Sequence, residues 1–133
     1  MKNFKVEIKQ SHEFSLQDIN DIIVTALEGG INYWCGKAKM KLNPDKTYFG
    51  VAEEDQEKVK YASDVIGYGG VLILFDAEEP TEKWELDADK LLKGIAKYCE
   101  ENNYALSELM DNYDSDTADG IVQFGLFDEL VFG

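Results

Sequence analysis

Apart from carboxylates, the side chains that could do chemistry are few. His12 is the only histidine, Cys35 and Cys99 are the only cysteines, and no arginine occurs in the 133 residues. A Ser-His-Asp hydrolase would have to use His12 as its base, yet no serine sits in the G-x-S-x-G context that exposes a nucleophile on a strand-to-helix turn. A zinc site would need His12 and two cysteines sixty-four positions apart to converge with a further ligand, and no C-x-x-C occurs. Gly67, Gly69 and Gly70 precede an apolar run, whereas a dinucleotide site needs strand, glycines and helix in that order. They read as turn glycines. The run Asp111, Asp114, Asp116, Asp119 before Gly120 invites comparison with a calcium loop, which wants acids at positions 1, 3 and 5, glycine at 6 and Glu at 12. Counted from Asp114, position 5 is Ala118, the glycine falls at 7 and position 12 is Gly125. The run reads instead as acids supporting a helix N-terminus, or as a patch facing a partner. Acids are too abundant for any one pair to single out glycoside chemistry. With no complete catalytic signature, the chain reads as a non-enzyme that needs no metal and no cofactor.

Its abundant functional group is the carboxylate, and the distribution is uneven. Residues 1–50 carry seven lysines and six carboxylates, whereas residues 51–133 carry six lysines and twenty-one, for a net charge of −14. Such a field repels nucleic acid and acidic membrane surfaces and attracts basic partners. Three clusters stand out as candidate partner-binding residues: Glu53, Glu54, Asp55 and Glu57; Glu78, Glu79 and Glu82; and Asp111, Asp114, Asp116 and Asp119. Tyr33, Trp34 and Trp84 are candidates for the core or for interface anchors. The two cysteines read as reduced, partly buried thiols of a cytosolic protein, since a disulfide-framed secreted fold would carry more. The first residues alternate instead of forming an apolar leader, and the longest apolar run, Val71–Phe75, is far short of a membrane span. These features predict a cytoplasmic location in a host cell.

The elements that must position these residues follow from periodicity. Phe4, Val6 and Ile8 alternate with Lys5, Glu7 and Lys9, which predicts a half-buried strand over 2–10. Ser15 and Asp18 form a capping-box variant that opens a helix with Leu16, Ile19, Ile22, Ile23, Ala26 and Leu27 inward, ended by Gly29-Gly30. Ala38, Met40 and Leu42 predict a second strand, Asn43-Pro44-Asp45 a turn, and Thr47–Ala52 a short further strand. A helix is expected over 53–66, with Val59, Ala62 and Ile66 inward. Val71–Phe75 reads as the central strand, buried throughout, with 83–86 as its partner. Asp87 caps a helix over 88–101 with Leu91, Leu92, Ile95, Ala96 and Cys99 inward. A mixed connector follows; Asp116 then reads as a helix N-cap, while Ile121-Val122-Gln123-Phe124 would also suit a strand, and a helix followed by a short terminal strand through Val131 is the favoured reading. This predicts a single α+β domain over 1–133, with a mainly antiparallel sheet of about four strands covered by three to four helices.

The stretch from Asp18 to Cys35, which includes Gly29-Gly30-Ile31-Asn32-Tyr33-Trp34, resembles a family of small acidic proteins encoded by phages, prophages and other mobile elements. Tyr61–Asp64, Gly69–Leu74 and the ending Ala118–Phe124 through Val131-Phe132-Gly133 share that resemblance, which covers most of the chain. It implies an intracellular phage-type protein, and it carries no catalytic residues with it.

Together these readings predict a non-enzymatic inhibitor of a basic, nucleic-acid-binding host defence protein, of the anti-CRISPR or anti-restriction type, acting as a DNA mimic without binding nucleic acid or membrane. Two alternatives stay open. One is a small-molecule-binding or sequestering protein, with a pocket at Tyr33, Trp34 and Gly67–Gly70 and an oligomeric form open to it. The other is a structural or regulatory phage protein.

Overall fold

The computed structural model describes residues 2–133. Helix α1 (Leu16–Thr25) opens on the capping box, with the Ser15 hydroxyl accepting from Asp18 N and the Asp18 carboxylate accepting from Ser15 N. It buries Ile22 and Ile23, whereas Leu16 at its first position stays exposed. Gly29-Gly30 does not end it in a left-handed cap. The chain continues as a π-turn over Ala26–Gly30, because Gly30 passes so close to the Ser115 carbonyl that a Cβ there would stand 2.7 Å from it.

Strands β1 (Cys35–Met40), β2 (Leu72–Asp76) and β3 (Lys83–Leu86) form one antiparallel sheet in the order β1-β2-β3. Its inner face carries Ala38, Met40, Leu72, Leu74, Trp84 and Leu86. The strand β2 is central as expected, but it is not buried on both sides. Leu72 and Leu74 are enclosed, whereas Ile73 and Phe75 face outward and are half-buried, because no helix among the described residues covers that side. Lys41 reaches across this outer face to Glu85 at 3.1 Å.

Three elements expected in the first half of the chain are replaced. Residues 2–10 form no strand and pair with no other segment among the described residues. Thr47–Ala52 also forms none; a lone bridge joins Leu42 to Tyr48. The helix expected over 53–66 is two 3-10 turns, Glu53–Lys58 and Ala62–Asp64. Side chains break its continuity: Gln56 bonds to Tyr48 N, Tyr48 O and Val51 O, and the Asp64 carboxylate accepts from Lys60 N and Tyr61 N. Gly50 (φ +80°) and Gly69 (φ +96°) cross backbone to backbone just beyond, a geometry open to residues without a Cβ.

Helix α2 (Ala88–Glu101) begins on its Asp87 cap, whose carboxylate accepts from Lys90 N. Leu91, Ile95 and Cys99 are buried as the period predicts, but Leu92 and Ala96 are exposed. Gly94 takes their place on the inner face, because α4 lies directly against it. After a 3-10 turn (Leu106–Glu108) and the short α3 (Leu109–Asn112), helix α4 (Ser115–Phe127) is capped by Asp114 rather than Asp116. A Cβ at Gly94 would collide with the Ile121 carbonyl, and one at Gly125 with the Lys90 carbonyl. The two helices therefore touch backbone to backbone. The expected terminal strand is absent; residues 130–133 instead run as a tail beneath α4.

Candidate functional site

Two groups of polar residues compete for the role of site. The first is internal and was missed by the sequence reading. On α4, Asp119 and Gln123 stand one turn apart on one face. Asp119 Oδ2 accepts from the Tyr33 hydroxyl at 2.6 Å, and its Oδ1 accepts from Trp34 Nε1 at 2.8 Å and from Gln123 Nε2 at 2.8 Å. Gln123 is 1% exposed, and its Oε1 accepts from both Val131 N and Phe132 N at 2.8 Å. A side-chain amide thus does what a neighbouring strand would have done for the tail. Phe132 is then stacked on Trp34, with ring centres 4.9 Å apart and planes 4° from parallel, while Trp84 and Phe127 close the cluster edge-on.

The ring of Tyr33 is open to solvent (55% exposed), yet its hydroxyl lies inside this network. Loss of hydration there, followed by the hydrogen bond to the Asp119 carboxylate, pushes the phenol up to about 12. Both Asp119 oxygens and both polar ends of Gln123 are occupied. The network is a clasp that fastens the 31–35 segment and the tail to α4. A shallow cavity of about 410 Å³ opens beside it, bordered by Tyr33, Tyr98, Asn102 and Asp116. The sequence does carry a signal for the clasp: Gln123 is a lone amide within Ile121-Val122-Gln123-Phe124, four residues after an acid.

The second group is external. Glu53, Glu54 and Glu57 project from the first 3-10 turn and are exposed, while Asp55 pairs with Lys58 at 2.9 Å. Glu78, Glu79 and Glu82 are exposed on the β2–β3 hairpin, whose turn is fixed by Asp76 accepting from Glu78 N and Glu79 N. The third predicted cluster does not act as one surface. Asp111 and Asp116 are exposed, but Asp114 caps α4 and Asp119 belongs to the clasp. Hydrogen bonds from Thr117 hold the Asp114 carboxyl below its usual range.

The expected grouping of Tyr33 and Trp34 with the Gly67–Gly70 turn is also corrected. Tyr33 and Trp34 meet the tail, whereas Gly67 lines a separate cleft of about 380 Å³ with His12, Phe14, Ile19 and Leu91. Both cysteines are buried and free, and burial pushes both thiols up, away from the thiolate a nucleophile needs. Among the described residues, no helix is long and apolar enough to cross a membrane. Comparison with protein-family models, curated proteins and solved structures finds no match to this chain.

Proposed function

We propose that this chain is a non-enzymatic binding protein whose acidic rim occupies a basic, nucleic-acid-binding groove on a partner protein. The observation that carries the reading is uncompensated charge. Among the described residues five salt bridges engage five carboxylates, against 27 in the chain. Eight lysines remain for the other 22 carboxylates, and those with no donor beside them, Glu53, Glu54, Glu57, Glu78, Glu79 and Glu82 among them, are a source of negative field. A 3-10 turn rises about 2 Å per residue and repeats every three, so Glu54 and Glu57 stand one above the other about 6 Å apart. Duplex DNA carries one charge per ~1.7 Å of axis, and a groove built for it offers lysines and arginines to such a row. The hairpin acids Glu78, Glu79 and Glu82 extend the same sign to a second edge.

The resemblance to small acidic phage and mobile-element proteins supports a finer reading, in which the partner is a host defence nuclease such as a CRISPR effector or a restriction enzyme. The clasp supports the non-enzymatic part: its donors and acceptors are spent on each other, leaving none aimed at a substrate. The test is displacement of labelled duplex DNA from purified restriction nucleases and CRISPR effectors by the intact protein. Salt-sensitive displacement from at least one, with no shift of DNA by the protein alone, is expected. Failure across the panel, or direct binding of the DNA by this chain, overturns the proposal.

A further inference from the structure

Residues 2–10 are net basic in an acidic chain and hold the three most exposed large hydrophobic residues among those described. They carry Lys2, Lys5 and Lys9 against Glu7, in a protein of net charge −14. Phe4, Val6 and Ile8 are 90, 86 and 85% exposed. Lys5 and Glu7 meet at 2.7 Å, which places them on one side of an extended chain and the three apolar residues on the other. This is the pattern of a strand with no sheet to join.

The sheet has an edge to receive it. Asp76 N donates to Glu82 O, and the register continues as Leu74 with Trp84 and Leu72 with Leu86. In an antiparallel pair such positions alternate, so Lys83 and Glu85 turn their backbone groups away from β2, toward an open side. At Glu85 the outward carbonyl is filled by the Lys90 ammonium at 2.7 Å, a side chain standing where a strand's N–H would. We propose that residues 4–7 add antiparallel to β3 of a second copy of this chain, in a reciprocal two-fold dimer.

One register satisfies every position. Phe4 meets Leu86 and Val6 meets Trp84 on the apolar face, while Lys5 meets Glu85 and Glu7 meets Lys83 on the polar one. Cross-strand pairs of this kind are what stabilise a sheet. The other edge fits less well, because β1 presents Lys37 and Lys39 to the arm's own lysines. The arm is also led away from its own β3. His12 and Phe14 lie by Leu91 near the start of α2, and Gln10 accepts from Leu106 N beyond its end. The chain therefore runs from the β3 end of α2 toward the opposite end before residues 2–9 begin.

The experiment is sedimentation of the full chain at concentrations up to about 100 μM. A dimer is expected for the wild type. Val6→Asp, whose fold is checked by circular dichroism, is expected to be monomeric. Glu7→Lys is expected to weaken the dimer about tenfold, two like-charge pairs being created per dimer, and Lys83→Glu added to it is expected to restore the wild-type constant. A monomeric wild type, or a dimer that Val6→Asp leaves intact, overturns the proposal. A dimer broken by Val6→Asp but not rescued by the charge exchange overturns the register. The result is independent of DNA displacement, which the acidic rim on each copy would still perform.

Discussion

Asp119 and the group Glu53, Glu54 and Glu57 carry the same functional group to opposite ends. Asp119 accepts hydrogen bonds from Tyr33, Trp34 and Gln123, and its charge is spent fastening the 31–35 segment to α4 and steadying the amide that holds the tail. The three glutamates stand in solvent on a turn of six residues. The lesson is that an acidic composition says little by itself. A carboxylate with donors around it is a fastening, and one without them is a source of field.

The largest effect is expected at the fastening. Asp119→Ala leaves the buried Trp34 Nε1 without its acceptor and takes from the buried Gln123 Nε2 its shortest one, and unsatisfied buried donors cost about 1–3 kcal/mol each. A loss of roughly 2–4 kcal/mol in urea unfolding is expected, with tail contacts weakened. A loss under about 1 kcal/mol would erase the distinction between inner and outer acids. Gly94→Val comes next. It forces apart the helix contact that sets where Asp119 and Gln123 stand, and overpacking of this kind costs about 1–3 kcal/mol. Thermal unfolding checks it.

Tyr33 sharpens the comparison through pH. Its phenol titrates near 10 when free and at about 12 in the fold. Between those values the unfolded chain has lost this proton and the native one has kept it, so the group's stabilisation is complete below about pH 10 and is lost as pH rises toward 12. Tyr33→Phe should therefore show a shallower fall in stability over that interval than the wild type. Equal slopes would mean that the hydroxyl is not held by Asp119. Smallest of all is the expected stability change on reversing Glu53, Glu54 and Glu57 to lysine together: within about 0.5 kcal/mol, as for exposed surface changes.

Much of the local structure was legible because it rests on short-range rules. The Ser15–Asp18 box, the Asp87 cap, the stripe Leu91, Ile95 and Cys99, and the strand at 83–86 each follow from neighbours within a few residues. The α+β class followed from them. What was not legible depends on distant partners. Period 2 at Phe4, Val6 and Ile8 specifies a strand but not the chain that pairs with it. The period of α2 suggested Leu92 and Ala96 as inner residues, yet the backbone contact at Gly94 rotates that face toward α4. The clasp joins Tyr33 to a residue 86 positions away, and only the lone amide within an apolar helix hinted at it. Asp114 and Asp119 sat in one acidic run, and nothing in their spacing told the cap from the clasp.

What remains to be measured is whether the outer carboxylates act at a distance on a basic partner, as we propose. The direct measurement is the association rate with a nuclease found by DNA displacement, for the wild type and for the Glu53, Glu54 and Glu57 reversal, at two salt concentrations. Exposed charges are screened over about 8 Å at physiological ionic strength, and steering acts mainly on the rate of encounter. A rate that falls with salt is expected, with a reversal that binds about tenfold more slowly at low salt and folding unchanged. A reversal that associates as fast as the wild type, with no dependence on salt for either, would contradict the proposal.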